Sequence, residues 1–255
     1  MENAVLKYYE RPELNNTILI EGLPGIGLVG KLAADHLQDE LKAKKFAEII
    51  SPFLPPQISI QDDGTLRLVK MELHYWKDKK NNLILLLGDF QGVSPDSQYQ
   101  LAEKTLDMAE EFNVKKIFTL GGLGTGAITK KPRVFGAATS RNLVEEMEKY
   151  GIIFKGGGAI FGASGLLLGL GMERGMDGVC IMGETHGQII DAKSAEAVLT
   201  VLTKILDIEI DMTELERKAK DTEEQINKMS QMISSYREAA ERQQEMLREQ
   251  PSYIR

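Results

Sequence analysis

At 255 residues, with 42% apolar and 27% charged side chains, the chain can build one core of about 200 residues plus an appendage, and its composition excludes disorder across the body. A net charge of -7 and a pI near 5.2 leave no basic footprint for nucleic acid and little attraction to anionic membranes. The single cysteine, Cys180, excludes an intramolecular disulfide and, within Val179-Cys180-Ile181-Met182, reads as a buried structural thiol.

The opening residues lack a basic region followed by an apolar core, and no apolar run reaches spanning length, so a cytoplasmic protein is expected. The first predicted unit is Thr17 to Lys31. A short apolar run bounded by turn residues reads as a buried strand, and Val29, Leu32, Ala33, Leu37 and Leu41 then recur at helical spacing. Between them, Gly22-Leu23-Pro24-Gly25-Ile26-Gly27-Leu28-Val29-Gly30 contains G-x-G-x-x-G at Gly25, Gly27 and Gly30. In a dinucleotide-binding fold that pattern admits a pyrophosphate at a helix N-terminus. Pro24 deletes an amide donor where a phosphate cradle needs one, so a close helix-to-strand packing turn is the favoured reading. Glu48, at the end of the strand over 45–50, stands near the distance of a ribose-binding acid.

Three prolines between Pro52 and Pro56 predict a stiff loop, and Ile58–Gln61 with Leu66–Trp76 predict an antiparallel hairpin around Asp62-Asp63-Gly64. Leu83 to Leu87 is apolar on both faces, as in a central strand covered by helices. Ser94 as N-cap and Pro95 at the first helical position open the next helix. The strand Lys116–Leu120 runs into Gly121-Gly122-Leu123-Gly124-Thr125-Gly126. Further elements are a strand over Val134–Thr139, a helix over Ser140–Tyr150, Ile152–Phe154 before Gly156-Gly157-Gly158, a helix over Ile160–Met172, a strand over 178–182, and a helix capped by Asp191.

Strands alternating with helices predict an α/β domain over 1–210, its sheet mostly parallel and covered by helices on both faces. The loops Gly22–Gly30, Gly88–Gly92, Gly121–Gly126 and Gly183–Gly187 are expected on one edge, where such folds bind ligands.

Beyond Met212, Leu215, Ala219, Thr222, Ile226, Met229, Ile233, Tyr236, Ala240, Gln243 and Leu247 alternate at spacings of four and three, without glycine or proline. This heptad pattern predicts a coiled-coil helix over 211–250, roughly 55 Å long, with Leu215, Ile226, Met229, Ile233, Tyr236 and Leu247 as oligomerisation residues. Pro251 stops it and leaves the tail 251–255.

Enzymatic signatures are sparse. Glu184-Thr185-His186 with Asp191 is the best cluster for metal or general-base work, against a plain reading in which Asp191 caps a helix. There is no G-x-S-x-G, C-x-x-C or G-x-x-x-x-G-K-[ST]. Neither a catalytic centre nor a metal or cofactor is expected. The alternative is a nucleotide- or nucleoside-binding enzyme using the glycine-rich edge.

The turns Gly22 to Gly30 (with Pro24, Gly25 and Gly27) and Gly121-Gly122-Leu123-Gly124-Thr125-Gly126, together with Gly162-Ala163-Ser164-Gly165-Leu166-Leu167, resemble the proteasome assembly chaperone family in its archaeal form, over roughly residues 15–210. The resemblance implies a nucleoside-phosphorylase-like fold without an established catalytic site, and a homo-oligomer that assists proteasome core-particle assembly. It also implies partner binding to α-subunits of the 20S core particle through a C-terminal hydrophobic-Tyr-any residue ending. Here Tyr253 stands third from the end and follows Ser252, so Tyr253, Ile254 and Arg255 form an altered version of that ending.

Overall fold

The computed structural model describes residues 4–222. In chain order the first half comprises β1 (Val5–Tyr8), β2 (Thr17–Gly22), α1 (Val29–Leu41), β3 (Lys44–Ile50), β4 (Ile58–Ile60), β5 (Leu66–Leu68), β6 (Met71–Lys77) and β7 (Asn82–Gly88). The second half comprises α2 (Pro95–Glu111), β8 (Val114–Gly124), β9 (Val134–Ala138), α3 (Arg141–Glu148), β10 (Ile153–Phe154), α4 (Ala163–Glu173), β11 (Asp177–Thr185) and α5 (Ala192–Leu206). Helix α2 starts as its sequence predicts. The Ser94 hydroxyl accepts from Ser97 N–H, Ser97 Oγ accepts from Ser94 N–H at 2.7 Å, and Pro95 needs no amide partner in the first turn.

One nine-stranded sheet runs β1-β3-β6-β7-β2-β8-β11-β9-β10. Its centre, β7-β2-β8-β11, is parallel, whereas β1, β3, β6 and β7 pair antiparallel with one another and β9 runs against β11. The sheet is therefore mixed, parallel only at its heart and where β10 joins β9. The reason lies in the connections. Asp78 N–H donates to Asn81 O at 2.9 Å, closing a tight turn between β6 and β7, and such a turn can join only antiparallel neighbours. The expected strand Leu66–Trp76 is broken at Val69-Lys70. Its first part pairs with β4 in a separate two-stranded sheet and its second, β6, enters the main sheet between β3 and β7. Strand β1 escaped the sequence pattern because it is a short edge strand held by register with β3.

Helices cover both faces. Leu19, Ile84, Leu86, Ile117 and Cys180 pack with Leu106 of α2 and Leu167 of α4. Ile20, Leu83, Leu85, Phe118 and Ile181 pack on the opposite face with Leu37 of α1, Met147 of α3 and Leu199 of α5. The alternation of neighbours along each strand between these two sets follows from the period of two. The hairpin β4–β5 departs from this economy: Ile58 opposes Leu68, Ile60 opposes Leu66, and all four are at least half exposed on one side.

Residues 213–222 begin a further helix. Leu215 and Ala219 are 1% and 5% exposed and belong to the cluster built by α1 and α5, so these first heptad positions have a place in the chain's own core. His36 Nε2 of α1 lies 2.7 Å from Asp211 O and ties the start of this segment down. The remaining coiled-coil positions, Ile226, Met229, Ile233, Tyr236 and Leu247, and the tail with Tyr253, Ile254 and Arg255, lie outside the described residues. No helix among those described is long and apolar enough to cross a membrane.

Candidate functional site

The carboxyl ends of β2, β7, β8 and β11 lie along one edge, and the loops that follow them bond to one another. Gln91 is the hub. Its side-chain amide donates to Pro24 O at 2.6 Å, while its Oε1 accepts from Ala163 N–H at 3.0 Å and from the Gln98 amide at 3.2 Å. Thr125 N–H donates to Thr185 O, and Asp191 N–H to Gly27 O, each at 2.9 Å.

The first glycine turn is filled by the chain itself. A Cβ on Gly22 would lie 2.0 Å from Ala34 Cβ, and one on Gly30 would lie 2.0 Å from Leu120 O, so α1 rests directly on β2 and β8. Gly27 adopts φ 63°, where a side chain would also strike Thr185. Gly25 meets nothing within 4 Å. The second cluster was expected as a loop. Instead Gly121, Gly122 and Gly124 continue β8, paired with Met182, Gly183 and Thr185 of β11, and only Gly126 lies beyond the strand. The reason is steric: a Cβ on Gly122 would stand 2.4 Å from Ile26 O, so the bare strand makes room for the turn after β2. The backbone of Ile26 thus packs directly against β8.

Beneath this edge lies a residue the sequence reading passed over. Glu21 is fully buried in β2, its Oε1 accepting from Leu23 N–H at 2.9 Å and its Oε2 from Ser164 Oγ at 2.8 Å. Burial raises its carboxyl to about 7, with both hydrogen bonds opposing the rise. Thr119 and Cys180 continue the same row across β8 and β11. Burial lifts the Cys180 thiol to about 12, which keeps it protonated and without nucleophilic character.

The other candidates are engaged in structural pairs. Glu48 is buried at 3% exposure; its ion pairs with Lys45 and Lys70 outweigh burial and hold it down to about 2. Glu184 receives Arg133 through Nε at 2.9 Å and a terminal nitrogen at 2.6 Å, and this fork holds its carboxyl below the usual range. Asp191 caps α5, accepting from Ser194 N–H at 2.9 Å. Glu184 and Asp191 of the expected cluster are thereby committed to an ion pair and a helix cap, while His186 Nδ1 is buried without a hydrogen-bond partner among the described residues. Among the described residues no group of three or more His, Cys, Asp or Glu could hold a metal ion.

The architecture has counterparts in known proteins. The PAC2 family model matches residues 19–230. The chain belongs to the PAC2 family. This PAC2 protein is 45% identical to Pyrococcus furiosus PbaB, described as an archaeal proteasome activator, over 90% of its own length and 100% of that chain, with a TM-score of 0.85. Its similarity to Pyrococcus furiosus PbaA, described as an archaeal homolog of proteasome-assembly chaperone, is 30% identity over 99% of its own length and 100% of PbaA, with a TM-score of 0.77. It is also 42% identical to MJ1210 of Methanocaldococcus jannaschii, over 89% of its own length and 88% of that protein. The family expected from the glycine turns is thus confirmed, with archaeal proteasome-assembly-chaperone homologues as its structural neighbours. The PAC2 match takes in the edge turns, Glu21, Gln91 and the first heptads.

Proposed function

We propose that this PAC2 protein is a non-enzymatic, homo-oligomeric adaptor or chaperone that binds proteasome α-subunits and, through them, the 20S core particle. The observation that carries this reading is the 45% identity to PbaB, described as an archaeal proteasome activator, over the whole of that chain. The close packing at Gly22, Gly30 and Gly122 supports it, because these glycines have a structural explanation that needs no nucleotide.

Self-association has two candidate surfaces. The heptad spacing of Ile226, Met229, Ile233, Tyr236 and Leu247 in the sequence is that of a narrow apolar seam suited to another helix. The hairpin β4–β5 adds an aliphatic face on the domain, with Ile60 75% and Leu66 66% exposed. In this reading the helices carry Tyr253, Ile254 and Arg255 outward, and several copies on one oligomer raise apparent affinity by effective concentration.

Native mass spectrometry of the full chain with purified proteasome α-subunits tests the proposal. The expected complex contains several copies of this protein. Ile226→Asp with Ile233→Asp should reduce the copy number and weaken α-subunit binding at least ~10-fold through lost avidity. A full-length chain that remains monomeric at tens of micromolar, or ignores α-subunits, would contradict it.

A further inference from the structure

At the β9–β10 end of the sheet, these strands and α4 line an open pocket of about 820 Å³ that reaches Leu123 and Thr125 of the Gly121–Gly126 segment. This size lies within the range of small-molecule pockets. Its walls are apolar, with Phe135, Leu168, Met172 and Met182 among them, and the loop Gly156-Gly157-Gly158 passes across it.

One wall residue has no packing explanation. Gly169 sits inside α4, where glycine costs about 1 kcal/mol relative to alanine. A Cβ there would meet nothing within 4 Å, and its φ is not positive. Gly165, one turn earlier, is different, since its Cβ would lie 2.2 Å from Ile160 O. Gly169 is exposed and lines the pocket, so a larger side chain there has open space beside the pocket to occupy.

The charge in the cavity is one-sided. Lys155 and Arg133 both line it, with Lys155 Nζ 5.6 Å and Arg133 Cζ 5.2 Å from the Phe135 ring centroid, and no Asp or Glu is among the lining residues. Arg133 is neutralised by its fork to Glu184, whereas Lys155 makes no direct ion pair among the described residues and feels the Glu184 carboxylate only at longer range. In a chain of net charge -7, this is a local cationic mouth above an apolar chamber. The side-chain hydroxyls of Thr125 and Thr139 are the other polar side-chain groups lining it, too few to read the edge of a nucleobase and a ribose together.

We propose that this cavity binds an amphipathic monoanion, an apolar body of about ten carbons ending in a carboxylate or a phosphate, with the head at Lys155 and the body against Phe135, Leu168, Met172 and Met182. The site borders the Gly121–Gly126 segment, and its occupancy does not depend on proteasome binding.

Calorimetric titration and thermal melting of the full chain with decanoate, decyl phosphate and decanol, all below micelle formation, test it. Decanoate or decyl phosphate should bind and raise the melting temperature, and the tighter of the two identifies the head group. Decanol should bind at least ~10-fold more weakly. Gly169→Leu fills the cavity with a better helix former and should abolish binding of both anions without lowering the melting temperature. Lys155→Met, at an exposed position, should remove the preference for the anions over decanol and remains decisive if Gly169→Leu fails to fold. Absence of anion binding, unchanged binding by a folded Gly169→Leu, or an anion preference retained by Lys155→Met would each overturn the proposal.

Discussion

Gly30→Ala is expected to lower the thermal midpoint by roughly 6–12 °C, corresponding to a loss of about 3 kcal/mol in a domain of this size. The added methyl carbon would be placed 2.0 Å from Leu120 O and 2.6 Å from its carbonyl carbon. These are backbone atoms in the middle of the sheet, with no flexible side chain to yield. Relief requires α1 to lift from β8, opening the contacts of Val29, Ala33 and Leu37 with Phe118 and Leu120. Gly25→Ala is the matched control, since its Cβ would be in open space and its φ of -148° suits any residue. It should stay within about 2 °C of the parent. Melting curves of the two variants decide the point: similar midpoints for both would remove the packing explanation of the G-x-G-x-x-G turn.

Glu21→Gln is expected to stabilise the protein by roughly 2–3 kcal/mol at pH 8 and to have little effect at pH 5. The folded carboxyl titrates near 7 and its ordinary value is 4.5, so the native state holds the proton more tightly than the unfolded chain. That contribution is complete below about pH 4.5 and disappears as the pH rises through 7; above it, the protein carries a buried charge. A glutamine keeps the hydrogen bonds, its carbonyl accepting from Leu23 N–H and its amide donating to Ser164 Oγ, and never ionises. Glu48 acts with the opposite sign, its stability present above its ordinary 4.5 and lost as the pH falls toward 2, so the two windows separate. Urea midpoints of parent and variant should converge at pH 5 and diverge at pH 8. Parallel profiles across that interval would contradict the buried-proton account.

The two residues also mark where sequence reading succeeds and fails. Gly30 was legible because helical spacing from Val29 onward places it where α1 leaves the turn, and a glycine there signals close approach. Helix α2 was legible from Ser94 and Pro95, and β7 from its run of leucines, because caps and period are local properties. Glu21 was not legible: its partner Ser164 lies 143 residues away, and nothing nearby distinguishes it from an acid at a strand end. The same distance hid Gln91, which binds Pro24 and Ala163 across 67 and 72 residues. Strand β8 was cut short at Leu120 because Gly121, Gly122 and Gly124 lack strand-forming side chains. Their pairing with β11 and contact with the Ile26 turn are tertiary. Sheet direction at β6 and β9 depended on connection length, which apolar patterning does not report.

In the adaptor function proposed above, the protein acts through partners and reaches proteasome α-subunits with residues 251–255. The most direct measurement is the affinity of purified α-subunits for the full chain and for a chain ending at Gln250, with the oligomeric state of both followed in the same native mass spectra. The account predicts that both chains form the same oligomer and that removing the last five residues weakens α-subunit binding at least ~10-fold. Equal binding by the two chains would contradict it.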